Sequence, residues 1–248
     1  MQKHRKQNIM IFAAVLLHVV AVTILVFAVQ REMRLIKLDV PDSIVFDDPD
    51  GAYVPAFAQQ ERVVYITVDD GPSRDATPQI LAVLRKHNVR ATFFVLPRDG
   101  CDDLYEQILA GGNYLGNHSY SHDYSVLYGT ENAAEFRADT LRAENWLREK
   151  FGYETTLYRY PGGASGRPSA IIEPRDTVLR ALGYTRVDWD ISFGDDAPRV
   201  TPETMLANAL NGIAGRDTVT LLLHDTATSA EALDMFIQEM KSRGYVFN

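Results

Sequence analysis

The sequence predicts an α/β fold with parallel strands, and three observations indicate it. From Arg62 onward, short apolar strands alternate with amphipathic helices. Helix starts coincide with Thr-Pro pairs, and helix ends coincide with glycines. Polar clusters stand at the ends of several strands, where an α/β barrel carries its active site. The alternation implies crossover helices between parallel strands, hence a barrel or a doubly wound sheet.

The elements follow one another in a regular order. Strands are predicted at Val63–Val68, Thr92–Leu96, Thr155–Tyr158, Tyr184–Trp189 and Thr218–Leu223. Helices are predicted at Pro78–His87, Asp102–Ala110, Ala133–Phe151, Arg175–Leu182, Pro202–Ile213 and Ala230–Arg243. Thr77 and Thr201 each place a capping hydroxyl before a proline at the first helical position. Gly183 and Gly244 stand where a helix should stop.

The N-terminal part is predicted to anchor the chain in a membrane. The run Ile9–Val29 has 21 residues and no formal charge, which is long enough to cross the hydrocarbon core as a helix. A short basic tail, 1–8, is expected to stay in the cytoplasm, and the rest to lie outside. The alternative is a secretory signal cleaved after Ala28. A proline-punctuated linker, 30–60, then leads to one catalytic domain, 61–248.

Charge and composition exclude several classes of function. Residues 38–248 carry 19 Lys and Arg against 32 Asp and Glu, and this acidic balance excludes nucleic acid as an expected partner. The turn Asp70-Gly71-Pro72-Ser73 lacks the lysine and the spacing of a phosphate-binding loop, so no nucleotide cofactor is expected. The single cysteine, Cys101, cannot form an internal disulfide.

Two short segments carry the chemistry. Asp69 and Asp70 are adjacent carboxylates that end the first strand, and His118 and His122 are imidazoles four residues apart. One carboxylate and two histidines make a three-ligand metal site that leaves coordination positions open. The other carboxylate can then act as a base toward water. The segment Gly111–His122 has little apolar surface, so these histidines are not expected to be core residues.

Five segments together resemble the motif blocks of one known family. They are TVDDGP, HSYSH, RYPGG, the block from Trp189 to Asp195, and LLLHD, and they occur in this order between residues 62 and 247. The chain resembles the polysaccharide deacetylases of carbohydrate esterase family 4, the NodB-homology domain. The resemblance implies a distorted (β/α) barrel.

The resemblance also implies a role for each matching residue. Asp69 matches the general base and His224 the general acid, while Asp70, His118 and His122 match the metal ligands. Zn²⁺ is the metal expected at two nitrogens and one oxygen, and Co²⁺ or Ni²⁺ also fits such a site.

Other matching residues are expected to support or surround the reacting atoms. Arg159 matches the arginine that holds the catalytic aspartate. Gly162 stands where many relatives have tyrosine, and its amide is expected to bind the oxyanion. Trp189 and Leu222 are expected to contact the acetyl methyl group.

The aspartate that tunes His224 is less sharply defined, because four aspartates lie in the fourth block. These are Asp188, Asp190, Asp195 and Asp196. The spacing from Trp189 favours Asp195.

The expected reaction is metal-dependent hydrolysis of N-acetyl groups on an aminosugar polysaccharide, with release of acetate. For an exported, membrane-tethered enzyme, the favoured polymer is peptidoglycan, at N-acetylglucosamine. Chitin and poly-N-acetylglucosamine are alternatives. Two other functions stay open: an O-acetyl xylan esterase of the same family, and a catalytically inactive relative that binds carbohydrate.

Overall fold

The structure is a computed structural model that describes residues 61–129 and 133–248. The predicted tail, anchor and linker, 1–60, lie outside the described residues, and the predicted domain bounds stay predictions. Across the two described ranges, no helix combines the length and the hydropathy needed to cross a bilayer.

Strands and helices alternate through most of the described chain. The strands are β1 (Arg62–Asp69), β2 (Ala91–Val95), β3 (Tyr114–Asn117), β4 (Leu157–Tyr158), β5 (Thr185–Arg186), β6 (Ile191–Ser192), β7 (Thr218–His224) and β8 (Tyr245–Phe247). The helices are α1 (Thr77–His87), α2 (Asp102–Ala110), α3 (Tyr124–Tyr128), α4 (Ala134–Phe151), α5 (Ser169–Ala181), α6 (Pro202–Asn211) and α7 (Ala227–Ser242).

The strands form one parallel sheet, which confirms the predicted α/β class. Its order is β5-β4-β3-β2-β1-β7-β6, with β8 paired to the first half of β1. In the described residues β5 and β6 end this order without pairing with each other, so the sheet is a curled half-barrel that stays open. Asp69 is in register with Phe94 on one side and His224 on the other. The carboxyl ends of β1, β2 and β7 therefore meet at one edge.

The central strand β1 is buried on both faces from Ile66 to Asp69, as parallel strands covered by helices usually are. Val64, Ile66 and Val68 alternate with Thr67 and Asp69, and each is at most 3% exposed. Burial of one such aliphatic side chain stabilises the fold by about 1.5–3 kcal/mol. The strand that ends in Asp69 is thus held firmly from both sides.

A second, smaller cluster lies beside β4 and is rich in aromatic rings. Its fully or nearly buried members include Phe136, Tyr158, Tyr160 and Tyr184. The rings of Tyr158 and Tyr160 meet edge to face with centroids 5.4 Å apart, a favourable geometry for aromatic pairs. This cluster supports the loop that follows β4.

The sequence pattern does not predict β3, although this strand is central in the sheet. Its sequence is YLGN, which contains one aliphatic residue, Leu115. Gly116 is required there because a Cβ at that position would collide with the ring of Phe94. The strand is thus specified by its contacts rather than by an apolar run.

Predicted helix starts differ from the structure most at α5 and α7, and one predicted cap is not formed. Helix α7 begins at Ala227 rather than at the predicted Ala230. Helix α5 begins at Ser169 and contains Pro174 inside it, so the predicted start at Arg175 is wrong. Thr77 does not cap α1; its hydroxyl donates to the Asp225 carboxylate at 2.9 Å. Thr201 does cap α6, where its hydroxyl accepts from the Thr204 N–H.

Candidate metal centre and active site

The carboxyl ends of the strands open into one cavity of about 460 Å³. It contains most of the side chains singled out from the sequence. Nine of the ten candidate residues line it: Asp69, Asp70, His118, His122, Gly162, Trp189, Asp195, Leu222 and His224. The tenth, Arg159, is fully buried behind Asp69.

Asp69 is held from behind by Arg159. The guanidinium donates to Asp69 Oδ1 at 2.9 Å and to the Thr67 hydroxyl at 2.6 Å. Its other nitrogens donate to the carbonyls of Val187 and Asp188. The side chains of Arg159 and Asp69 are almost completely buried, at 0% and 4% exposed. A charge-assisted pair of this kind fixes the carboxylate in one orientation.

Asp70, His118 and His122 point their ligand atoms at one another. Asp70 Oδ1 lies 3.4 Å from His118 Nε2 and 3.2 Å from His122 Nε2. All three ligand atoms lie within 4.8 Å of one another. Asp70 adopts a φ of 70°, which turns its side chain away from the direction that strand β1 would impose. The two adjacent aspartates therefore separate: one faces Arg159 and the other faces the histidines.

The hydrogen bond on the far side of His118 sets its tautomer. Its Nδ1 lies 2.9 Å from the carbonyl oxygen of Arg159. A carbonyl can only accept, so Nδ1 carries the proton. In the neutral imidazole, Nε2 then presents a lone pair toward Asp70. This arrangement is the usual support of a metal-binding histidine.

The trio fits a divalent cation. Asp70 Oδ1 is buried and has no hydrogen-bond partner of proper geometry among the described residues. Ligand atoms of a tetrahedral zinc site with bonds of about 2.0–2.1 Å stand about 3.3 Å apart, close to the spacings seen here. Burial by itself would raise the pKa of Asp70, and positive charge on the two imidazoles, His118 and His122, lowers it well below its usual range. A cation bound by the three ligand atoms would supply the partner that Asp70 Oδ1 does not find in the described residues.

On the other side of the cavity, His224 and Asp195 form a complete pair. Asp195 Oδ1 lies 2.7 Å from His224 Nδ1, and its Oδ2 accepts from the His224 backbone N–H at 2.7 Å. The Ser229 hydroxyl donates to the same Oδ2. Burial lowers the pKa of His224, but the Asp195 carboxylate outweighs it and raises this pKa to about 9. This pairing favours the protonated form of His224 at neutral pH.

The other three candidate aspartates form no hydrogen bond with the His224 ring among the described residues. Asp190 pairs with Arg216 at 2.9 Å and also accepts from a backbone amide of β7. Asp188 lies 3.3 Å from Arg186. Asp196 lines the cavity without a hydrogen bond to His224 in the described residues.

A pair of glycines after β4 brings the backbone to the cavity. Gly162 and Gly163 have φ values of 67° and 71°, which other residues adopt only with strain. The Gly162 N–H donates to no acceptor in the part of the chain that the structure describes. A Cβ on Gly163 would lie 2.6 Å from the Trp189 ring, so the indole packs directly on this backbone. Leu222 closes the same wall and is 5% exposed.

The sequence does not predict two residues that hydrogen-bond to the catalytic candidates or their partners. Thr67 is bound by Arg159 and donates to the carbonyl of Leu221, so it ties β1 to β7 beneath Asp69. The sequence does contain one indication of this role. Thr67 stands two residues before Asp69 on a strand, so both side chains lie on the same face. Ser229 lies five residues after His224, in the first turn of α7. No spacing rule links it to Asp195.

The expectation that the histidines lie outside the core is wrong for His118. This side chain is 2% exposed and follows β3 directly, beside the fully buried Asn117. The polar side chains are buried because they are paired: Asn117 donates to the Thr140 carbonyl and accepts from the Ser119 N–H. His122, by contrast, is 33% exposed and faces the opening.

Comparison with known proteins finds one family. A family model described as polysaccharide deacetylase matches residues 57–187. Peptidoglycan-N-acetylglucosamine deacetylase PgdA of Listeria monocytogenes is 30% identical over 196 residues, which are 77% of this chain and 38% of that protein. The chain thus spans less than half the length of this relative. A peptidoglycan-N-acetylglucosamine deacetylase of Bacillus cereus is 30% identical over 79% of this chain and 70% of its own length.

A solved structure agrees with the family match. A CE4 esterase of Streptococcus mutans superposes with a TM-score of 0.70 and 31% sequence identity. The match covers 75% of this chain and 85% of the esterase.

Proposed function

Since the chain belongs to the polysaccharide deacetylase family, we propose that it hydrolyses N-acetyl groups of peptidoglycan N-acetylglucosamine and releases acetate. One observation carries this proposal. A three-ligand Asp/His/His cluster, an arginine-held carboxylate and a histidine paired with an aspartate face a single cavity. Hydrolysis of an amide needs such a set: an electrophile, a base for water and an acid for the leaving amine.

Asp70, His118 and His122 would hold the cation. CE4 relatives generally depend on a metal, and Zn²⁺ is the proposed metal because two imidazole nitrogens and one carboxylate oxygen suit it. When bound, it would act as a Lewis acid toward the amide carbonyl and make water a better nucleophile at neutral pH.

Asp69 is the proposed general base. Arg159 binds Oδ1 of its carboxylate, and Oδ2 lies 3.7 Å from His118 Nε2 at the cavity. This oxygen can take a proton from a water that attacks the acetyl carbon. Because Arg159 is fixed by four acceptors, the base does not need to reorient during the reaction.

His224 is the proposed general acid. Its Nδ1 is engaged by Asp195, so Nε2 is the nitrogen that can give a proton to the departing sugar amine. The Gly162 N–H is the proposed donor to the oxyanion of the tetrahedral intermediate. Trp189 and Leu222 are proposed to contact the acetyl methyl group, since they form the apolar part of the cavity wall.

We also propose that Ile9–Val29 remains as a spanning helix with the catalytic domain outside the cell. The support is the length and the lack of charge of this run. Mass spectrometry of the native protein should find the residues before Ile9 still attached. A mature N-terminus at Val29 would show cleavage of a secretory signal instead.

The substrate is tested by acetate release, assayed side by side on peptidoglycan, chitin oligosaccharides and acetylated xylan. The proposal predicts the highest kcat/KM on peptidoglycan. A preference for xylan would identify an O-acetyl esterase. Metal binding without acetate release from any of the three would identify an inactive relative that binds carbohydrate.

A further inference from the structure

Tyr124 lies at the metal site without a role in the chemistry described above. It opens helix α3, two residues after His122, and its ring centroid lies 5.9 Å from the His122 ring. The side chain lines the same cavity as Asp70 and His122. It is 50% exposed, so one part of the ring is open to solvent at the mouth of the cavity.

The absence of a side chain at Gly162 makes room for this ring. A Cβ at Gly162 would lie 2.5 Å from the Tyr124 hydroxyl oxygen and 3.1 Å from an Arg167 guanidinium nitrogen. A Cβ does not approach an unbonded atom to 2.5 Å, so a side chain at Gly162 would displace the Tyr124 hydroxyl. The wall beside the Gly162 amide is therefore built by Tyr124, from a different element.

Arg167 holds the tyrosine in place. Its guanidinium carbon lies 5.2 Å from the Tyr124 ring centroid and 3.8 Å from that of Tyr128. The same guanidinium donates to the carbonyls of Gly163 and Pro161. Both carbonyls belong to the loop that presents Gly162. The ring is thus positioned against that loop even though half of it is open to solvent.

We propose that Tyr124 is a sugar-binding residue, whose exposed face packs against a pyranose ring of the glycan next to the acetyl group being removed. A pyranose presents a face of C–H groups, and a fixed aromatic ring can bury that face at little entropic cost. This inference rests on the proposed function. It makes the enzyme prefer an N-acetylated glycan over a small acetyl ester that has no sugar to bind.

The test compares Tyr124→Ala and Tyr124→Phe on two substrates, an N-acetylglucosamine oligosaccharide and an aryl acetate. Tyr124→Ala should lower kcat/KM for the oligosaccharide relative to kcat/KM for the aryl acetate, about three- to ten-fold. This is the range that one aromatic contact provides. The loss should appear as a higher KM for the oligosaccharide. Tyr124→Phe keeps the ring and should stay within about two-fold of the wild type, well below that range.

A matched control comes from Tyr114, which is 47% exposed at the start of β3 and does not line the cavity. Tyr114→Ala should leave the ratio and both KM values unchanged. Bound metal is measured in every variant, because Tyr124 contacts His122. Equal losses on both substrates, or loss of metal from Tyr124→Ala, would overturn the proposal and assign Tyr124 to the support of His122.

Failure of the proposed function gives a different result. A wild-type enzyme that cleaves aryl acetate but no N-acetylated glycan would refute the function itself. The Tyr124 proposal is then decided by calorimetric titration of the wild type and Tyr124→Ala with the same oligosaccharide. A dissociation constant unchanged by Tyr124→Ala would refute it.

Discussion

The two histidine–carboxylate groups that face each other across the cavity are built differently. In the Asp195–His224 pair, both carboxylate oxygens accept hydrogen bonds, including one from Ser229. In the Asp70 group, two imidazoles approach the carboxylate at 3.2 and 3.4 Å, yet Asp70 Oδ1 has no properly directed donor among the described residues. The first group is complete by itself, and the second leaves a carboxylate oxygen that a cation can bind.

This contrast separates two uses of the same residue types. A buried polar atom without a partner costs about 1–3 kcal/mol, so it persists where something else binds it. A fully hydrogen-bonded pair instead fixes a histidine and sets its pKa. The two carboxylates are therefore distinguished by their hydrogen bonds rather than by their distance from a histidine. A carboxylate with partners on both oxygens suits proton transfer, and one with an unpartnered oxygen suits a metal.

Removal of a metal ligand should have the largest effect. His118→Ala should lose stoichiometric zinc and fall to background activity, because two remaining ligands bind a divalent cation weakly. Chelation of the wild type should do the same, and Zn²⁺ or Co²⁺ should restore activity. Metal content and acetate release are the measurements.

The matched control is His87→Ala. His87 also pairs with a carboxylate, that of Asp234, but it lies outside the cavity. It should keep both metal and turnover. A His118→Ala enzyme with normal metal and rate would refute the ligand assignment.

Asp69→Asn should keep the metal and lose activity. The three ligands are untouched, and asparagine can still accept from Arg159, so the fold and the site should persist. Loss of a general base typically costs about 10²–10⁴-fold in rate. Metal content, thermal unfolding and kcat are compared with the wild type. Loss of metal together with the rate would place Asp69 among the ligands.

His224→Ala should also keep the metal, but its effect should depend on the leaving group. Amide hydrolysis should fall about 10²–10³-fold, because the amine leaves only with a proton. Hydrolysis of an aryl acetate should fall far less, since a phenolate needs no proton. Equal losses on both substrates would count against the general acid and indicate a role in positioning or oxyanion binding.

The sequence predicted the residues that carry the chemistry better than those that support them. Asp69, Asp70, His118 and His122 stand in short local motifs, and the structure brings all four to one cavity. Asp195, which the spacing from Trp189 favours, is also the aspartate whose carboxylate lies 2.7 Å from His224 Nδ1. The catalytic and ligand roles themselves stay predictions.

Supporting residues were harder to predict because their contacts join distant segments. Thr67 meets Arg159 across 92 positions, and Ser229 meets Asp195 across 34. Strand β3 was missed because its burial comes from paired polar groups and a glycine fitted to Phe94, which no hydrophobic pattern records. Likewise, the sequence shows that Gly162 lacks the side chain that many relatives have at this position. Only the fold shows that Tyr124 occupies the space beside it.

The smallest expected effect is a shift of the alkaline limb of the pH profile. In the wild type, Asp195 raises the pKa of His224 to about 9, so the acid stays protonated until the pH passes that value. Asp195→Asn keeps a hydrogen-bond acceptor but removes the charge, and burial then lowers the pKa of His224. The alkaline limb of kcat/KM should therefore move to lower pH, by roughly one to two units.

A bound cation would shift the pKa of His224 in the same direction in the wild type and in Asp195→Asn, so the difference between the two pH profiles is the quantity to measure. Asp190→Asn is the control, because Asp190 binds Arg216 instead of His224 and should leave the limb in place. An unchanged limb in Asp195→Asn would mean that another group limits the rate at high pH.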